Sequence, residues 1–151
     1  MEQTGEYTVP ASRERVWEAL NDPEVLERCV EGCRSMTVTG EGEFEAVVAA
    51  KVGPVKATFT AAIELHDVVA PESYRLQVGV KGGAAGFAKG SAAVQLAECS
   101  GDETRLTYHI EGSIGGKLAQ IGSRLVQAAA RKMAASFFER FAVDIGRSQG
   151  V

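Results

Sequence analysis

From Met36 to Ile114 apolar residues recur at every second position, which is the period of a β-strand with one covered face. Phe44, Ala46, Val48, Ala50 and Val52 alternate with Glu43, Glu45 and Lys51. After Gly53-Pro54, the residues Val55, Ala57, Phe59, Ala61, Ile63 and Leu65 alternate with Lys56, Thr58, Thr60, Glu64 and His66. Tyr74, Leu76, Val78 and Val80 repeat the pattern, and Leu106, Tyr108, Ile110, Gly112 and Ile114 close it. Such runs, joined by short turns, predict an antiparallel meander with one wet and one covered face.

One stretch of that meander carries almost no bulk. Lys81 to Ala93 reads Lys-Gly-Gly-Ala-Ala-Gly-Phe-Ala-Lys-Gly-Ser-Ala-Ala before Val94-Gln95-Leu96 resumes an ordinary strand. Glycine weakens a strand and packs nothing. Run backwards from Val94 and Leu96, the alternation puts Ala92, Gly90, Ala88 and Gly86 on the inner face. A floor of hydrogens and methyls, widened by Ala46, Ala50, Ala57, Ala61 and Gly112, leaves a hollow beneath it. On this reading Ala88 and Gly90 should both accept a larger side chain cheaply.

The flanks are helical. Glu6 to Val9 alternates as a first strand and stops at Pro10. Ser12 is a good N-cap for Arg13 to Leu20, and Asp22-Pro23 starts a second short helix carrying Val25 and Leu26. From about Gly116 to Val143 the period is helical again, with Leu118, Ile121, Leu125, Ala128 and Ala129 on one side, then Met133, Phe137 and Phe141. A helix of that length is about 40 Å long and can cover the whole sheet. The expected fold is therefore α+β: a curved antiparallel sheet gripping a long C-terminal helix, two short helices near the N-terminus, and an internal apolar cavity. With 151 residues it should form a single domain, 1–151.

Composition excludes several classes. Sixteen basic against twenty acidic residues give a net charge of −4, which argues against nucleic acid as a partner. The N-terminal Met-Glu-Gln-Thr-Gly-Glu-Tyr is polar and acidic, unlike a secretory signal. Three cysteines fit a reducing cytoplasm better than a disulfide framework.

Five phrases carry a resemblance. They are Gly5-Glu6-Tyr7-Thr8-Val9-Pro10, the stretch from Val16-Trp17 to Val25-Leu26, Lys51-Val52-Gly53-Pro54-Val55-Lys56-Ala57-Thr58-Phe59, the Lys81–Ala92 run, and Gly115-Gly116-Lys117-Leu118-Ala119-Gln120-Ile121-Gly122-Ser123-Arg124-Leu125. Together they resemble the G-subunit family of carbon monoxide dehydrogenase, within the START-like superfamily of polyketide cyclases and lipid-binding proteins. The resemblance covers nearly the whole chain. It implies the helix-grip (START-like) fold around an apolar cavity. It also implies an accessory role beside a molybdenum hydroxylase of the carbon-monoxide-dehydrogenase type, in maturation, membrane recruitment or quinone coupling. The corresponding localisation is cytoplasmic, with peripheral contact at the inner face of the cytoplasmic membrane.

Candidate chemistry is thin. Cys29 and Cys33 make at most half a metal site, with no histidine nearby. Cys99 stands alone beside a turn. His66 and His109 fall on the wet face without an evident partner, and no nucleophile elbow, phosphate loop or dinucleotide fingerprint occurs. No catalytic residue, metal or cofactor is therefore expected. Lys117, Arg124 and Arg131 are spaced by seven and form a stripe along a continuous last helix, an ordinary solvated face or a surface for anionic lipid or an acidic partner. From Gly115 to Val151 six basic residues face two acidic ones, a local balance of +4.

The expected function is binding of a mostly apolar molecule, a quinone or lipid, without catalysis. The expected lining is Phe44, Val48, Phe59, Ile63, Tyr74, Val78, Ala88, Tyr108, Leu118, Ile121, Leu125 and Met133, with Lys132 at the rim. Tyr74 and Tyr108 would supply hydroxyls for orientation. The alternatives are an enzyme of the polyketide cyclase or aromatase type, which needs a convergent acid and base in the hollow, and a recruitment factor with an empty cavity.

Overall fold

The computed structural model describes residues 1–149, and side chains through residue 146. Its elements run β1 (Glu2–Val9), α1 (Arg13–Leu20), α2 (Pro23–Cys29), β2 (Cys33–Gly40), β3 (Glu43–Val52), β4 (Val55–Val69) and β5 (Ser73–Lys81). A single 3-10 turn, Gly83–Ala85, precedes β6 (Phe87–Ser100) and β7 (Glu103–Gly115), followed by α3 (Lys117–Gln120) and α4 (Ser123–Gln149). The seven strands form one antiparallel sheet in the order β1-β7-β6-β5-β4-β3-β2. Strands β2 to β7 are a meander of neighbours. The two short helices carry the chain from β1 at one edge to β2 at the other.

Local chemistry explains the helix starts. The Ser12 side chain accepts from the Arg15 N–H, and Asp22 accepts from the Glu24 N–H with Pro23 in the first turn. The first strand begins at Glu2, earlier than the alternation at Glu6 indicated. The larger difference lies in the last helix, which is two helices. Gly122, at φ +99°, breaks it between α3 and α4, a conformation that costs glycine little and other residues much.

That break sets the phase of α4. Val126, Phe141 and Ile145 are buried, whereas Leu125 is 42% exposed. The seam of α4 thus runs through Val126, Ala129, Ala130, Met133, Phe137 and Phe141, one residue away from the Leu118–Leu125–Ala128 stripe of an unbroken helix.

Two clusters hold the layers together, one at each end. Val9, Val16, Leu20, Val25, Cys29, Leu96, Leu106, Phe141 and Ile145 join α1 and α2 to the far half of α4. Val55, Phe59, Ala85, Leu118 and Val126 join the strand ends to α3 and the start of α4. Arg28 reaches Asp144 with Nε and Nη2 at 2.9 and 3.2 Å, tying α2 to α4. Gln3 donates from Nε2 to the Gln127 carbonyl at 2.8 Å, tying β1 to α4.

Candidate ligand-binding site

Between the clusters the sheet and α4 do not meet. The register of the strands explains why. Ala46, Ala61, Val80, Ala88 and Ile114 lie side by side across β3 to β7, so the floor there is mostly methyl groups. Above it is a cavity of about 270 Å³ lined by Met1, Val48, Ala50, Val52, Phe59, Ala61, Val80, Ala88, Ile114, Leu118, Val126, Ala129, Ala130 and Met133. No side chain in that lining carries nitrogen or oxygen. Apolar cavities of this kind stay dry and take up apolar molecules.

A second cavity, of about 240 Å³, adjoins the first: Ala61 lines one and Ile63, two residues along β4, lines the other. Its walls are Leu20, Leu26, Val30, Met36, Phe44, Ile63, Leu65, Tyr74, Leu76, Val94, Leu106, Tyr108, Phe137 and Phe138. Aromatic rings dominate one side. Tyr7 stacks on Phe138 at 4.2 Å, Tyr108 lies nearly parallel to Phe138 at 5.9 Å, and Phe137 stands edge-on to Phe138. Gly5 makes this arrangement possible, because a Cβ there would overlap the Tyr108 ring.

The cavity tyrosines differ in surroundings. Tyr74 is 6% exposed, with its ring edge-on to Trp17 at 5.3 Å. Burial raises its phenol pKa well above the ordinary value. Tyr108 is half-buried, and burial, then the charge and hydroxyl of Tyr7, push its pKa upward. Neither is poised to give up a proton near neutral pH.

Phe44, Val48, Phe59, Ile63, Tyr74, Ala88, Tyr108, Leu118 and Met133 therefore sit on the walls of one cavity or the other. Four expected residues do not. Val78 shares the inner face of β5 with Leu76 and Val80, which line the smaller and the larger cavity, but is on neither set of walls. Ile121 packs on the cluster around Val55 and Leu118. Leu125 packs over Gly53, and Lys132 is exposed; both share an angle on α4 that faces outward. Val126, Ala129 and Ala130, absent from the expected lining, are turned inward by the break at Gly122, and Met1 joins them from the start of β1.

Gly90 also differs. A Cβ there would overlap the Glu111 carbonyl and come 2.9 Å from the Gly112 Cα. Gly90 and Gly112, paired across β6 and β7, bring two backbones close together. Gly90 is therefore closed to bulk, and only Ala88 opens onto the hollow.

On the outer face, the histidines have carboxylate neighbours that sequence alone did not show. His66 Nε2 lies 3.1 Å from Glu64, and His109 Nε2 lies 3.1 Å from Glu111 and 3.3 Å from Glu2. Among the described residues, Glu2, His109 and Glu111 form the one cluster with the donor set for a metal ion, its carboxylates exposed and His109 half-buried, on the far side of the sheet from both cavities. Cys29 is buried, and Cys33 directs its thiol to the Ser35 carbonyl. Burial raises the pKa of both.

Lys117 lies on α3, Arg124 and Arg131 on α4, all three exposed. They do not form a stripe along one helix. Instead Lys117 and Arg124 join Lys51, Lys56, Lys81 and Lys89, which the register places at the same end of the sheet. Segments 46–63, 73–97 and 112–138 contain no Asp or Glu. That end also exposes Phe87, at 52%, and Leu125, and it is the end occupied by the first cavity.

Residues 5–146 match the family described as CoxG, the G subunit of carbon monoxide dehydrogenase. The chain belongs to that family. A conserved protein from Geobacillus kaustophilus is 31% identical, with a TM-score of 0.92 over 98% of this chain and 97% of that one. Two more distant structures share the fold. A START superfamily protein from Mycobacterium smegmatis is 10% identical, with a TM-score of 0.75 over 97% of each chain. The Zhui aromatase/cyclase from Streptomyces sp. R1128 is 12% identical, with a TM-score of 0.72 over 97% of this chain and 94% of that one. No curated protein matches the chain. Among the described residues no helix is long and apolar enough to cross a membrane.

Proposed function

We propose that this protein is a non-enzymatic accessory protein that carries a hydrophobic molecule, a quinone or lipid, for a molybdenum hydroxylase of the carbon-monoxide-dehydrogenase type. The observation that carries the reading is the pair of adjoining apolar cavities roofed by α4. A space of that size without a polar side chain in one half has no use for water and suits a hydrocarbon. Membership of the CoxG family supports the choice of partner.

Catalysis is a poor fit to the same walls. A cyclase needs an acid and a base converging on the substrate, and the titratable side chains on the walls are Tyr74 and Tyr108, both held protonated by burial. The basic end supports a membrane step. Six exposed cations around an exposed phenylalanine, at the end where the larger cavity lies, suit an anionic lipid surface, at about 1 kcal/mol for each cation. Such contact is weak enough to be reversible, as a carrier requires.

The experiment is extraction from vesicles. Anionic vesicles containing a long-chain quinone are mixed with the protein and sedimented, and the supernatant is assayed for quinone. The reading predicts quinone in the supernatant in proportion to protein, up to one molecule per chain. Supernatant quinone no higher than in a protein-free control would overturn it.

A further inference from the structure

We propose that the Tyr74 hydroxyl is the recognition group of the cavities, donating to an oxygen of a neutral amphiphile whose hydrocarbon tail runs into the space under Val126 and Met133. This rests on the carrier reading above and adds an orientation and a ligand class to it. Tyr74 is 6% exposed and lines the smaller cavity, and its hydroxyl has no hydrogen-bond partner among the described residues. The fully enclosed side-chain atoms without a partner among the described residues are Gln3 Oε1 and Arg13 Nε. The Tyr74 hydroxyl instead keeps accessible surface on a residue that lines the cavity, and a phenol with no protein partner is free to donate to what the cavity holds.

The division of the walls fixes the direction. The larger cavity offers no polar side chain, so an oxygenated end placed there would lose its hydration without compensation. The smaller cavity offers the Tyr74 hydroxyl and, elsewhere on its walls, Tyr108 and Phe138 of the ring stack completed by Tyr7, a surface on which a planar ring lies well. The oxygenated ring therefore sits deep, toward α1 and α2, and the tail points to the basic end.

Charge fixes the class. No Lys, Arg or His is on either set of walls. The α-ammonium of Met1, whose residue lines the larger cavity, donates to the Gly112 carbonyl at 3.0 Å, and Lys132, the one cation expected at the rim, is exposed. A fatty-acid carboxylate would be buried without a counter-charge. The ligand is neutral.

The test uses three probes on the full chain: decylubiquinone, the pure hydrocarbon diphenylhexatriene, and palmitate. Tyr74→Phe removes one oxygen and nothing else. It should weaken decylubiquinone roughly tenfold and leave diphenylhexatriene unchanged. It should leave the melting temperature of the ligand-free protein no lower, because the hydroxyl has no protein partner to lose. A merely structural tyrosine would lower it. Tyr108→Phe should weaken decylubiquinone less than Tyr74→Phe, and palmitate should bind the wild type worst of the three. The proposal falls if Tyr74→Phe binds decylubiquinone as wild type does, if it melts lower, if Tyr108→Phe has the larger effect, or if palmitate binds best. Failure of all three probes to bind the wild type would instead overturn the carrier reading, and this proposal with it.

Discussion

Ala88 and Gly90 are two residues apart on the same face of β6, yet their surroundings are opposite. Ala88 looks into the larger cavity, and Gly90 lies against the β7 backbone. Ala88→Phe should therefore fill space, change stability by less than about 1 kcal/mol, and abolish binding of a hydrophobic probe. Gly90→Ala should cost about 2 kcal/mol or more, because backbone cannot move aside as a side chain can. Thermal unfolding of the two variants, with probe titration of the first, checks both. A Gly90→Ala protein as stable as the wild type would show that β6 and β7 are not in close approach. The sequence marked both residues as small without showing which smallness leaves room. Only the neighbouring strand decides that.

The thiols carry a pH dependence at the same scale. Burial raises the pKa of Cys29 and Cys33 above the ordinary value of 9.0. The unfolded chain then loses these protons first as pH rises. Stability they contribute is complete below about pH 9 and declines above it, toward their folded pKa. Urea midpoints measured across the thiol range, from about pH 7.5 to about pH 10.5, should fall in its upper part. The fall should be shallower when Cys29 and Cys33 are both alanine. An unchanged slope would mean these thiols are open to water.

At the scale of elements, strands proved more legible than helices, and geometry explains the contrast. A period of two survives a turn, since each strand restarts its own alternation: Phe44, Phe59, Tyr74, Val94 and Leu106 all point inward. A helical wheel does not survive a break. At Gly122 the chain takes φ +99° with nothing within 4 Å of a would-be Cβ, and every residue beyond it is rephased. Hence Val126→Ala should cost about 1–2 kcal/mol, while Leu125→Ala, at the 42% exposed position, should cost distinctly less. Gly122→Ala should cost about 1–2 kcal/mol through its backbone alone. Chemical unfolding of the three variants orders them, and a Leu125→Ala loss exceeding that of Val126→Ala would restore the unbroken helix.

Across the whole molecule the chemistry is segregated along the strands. The basic, acid-free end holds the polar-free cavity, and the opposite end holds α1, α2 and the aromatic cavity. The seven-residue spacing of Lys117, Arg124 and Arg131 pointed to a basic surface. Its real extent depends on hairpin ends that bring Lys51 and Lys56 face to face, contacts no linear pattern reveals. Reversing Lys51, Lys56, Lys117 and Arg124 to Glu should reduce co-sedimentation with anionic vesicles and remove its salt sensitivity. Equal binding by the reversed protein would take this end out of the membrane step.

The central claim is that the space beneath α4 holds one neutral apolar molecule. Native mass spectrometry tests it most directly, on protein purified from its own source without detergent, beside the Ala88→Phe variant. The expected result is a wild-type species carrying one bound molecule per chain, extractable into organic solvent, and a variant that is bare. A bare wild type, or a variant loaded as fully as the wild type, would contradict it.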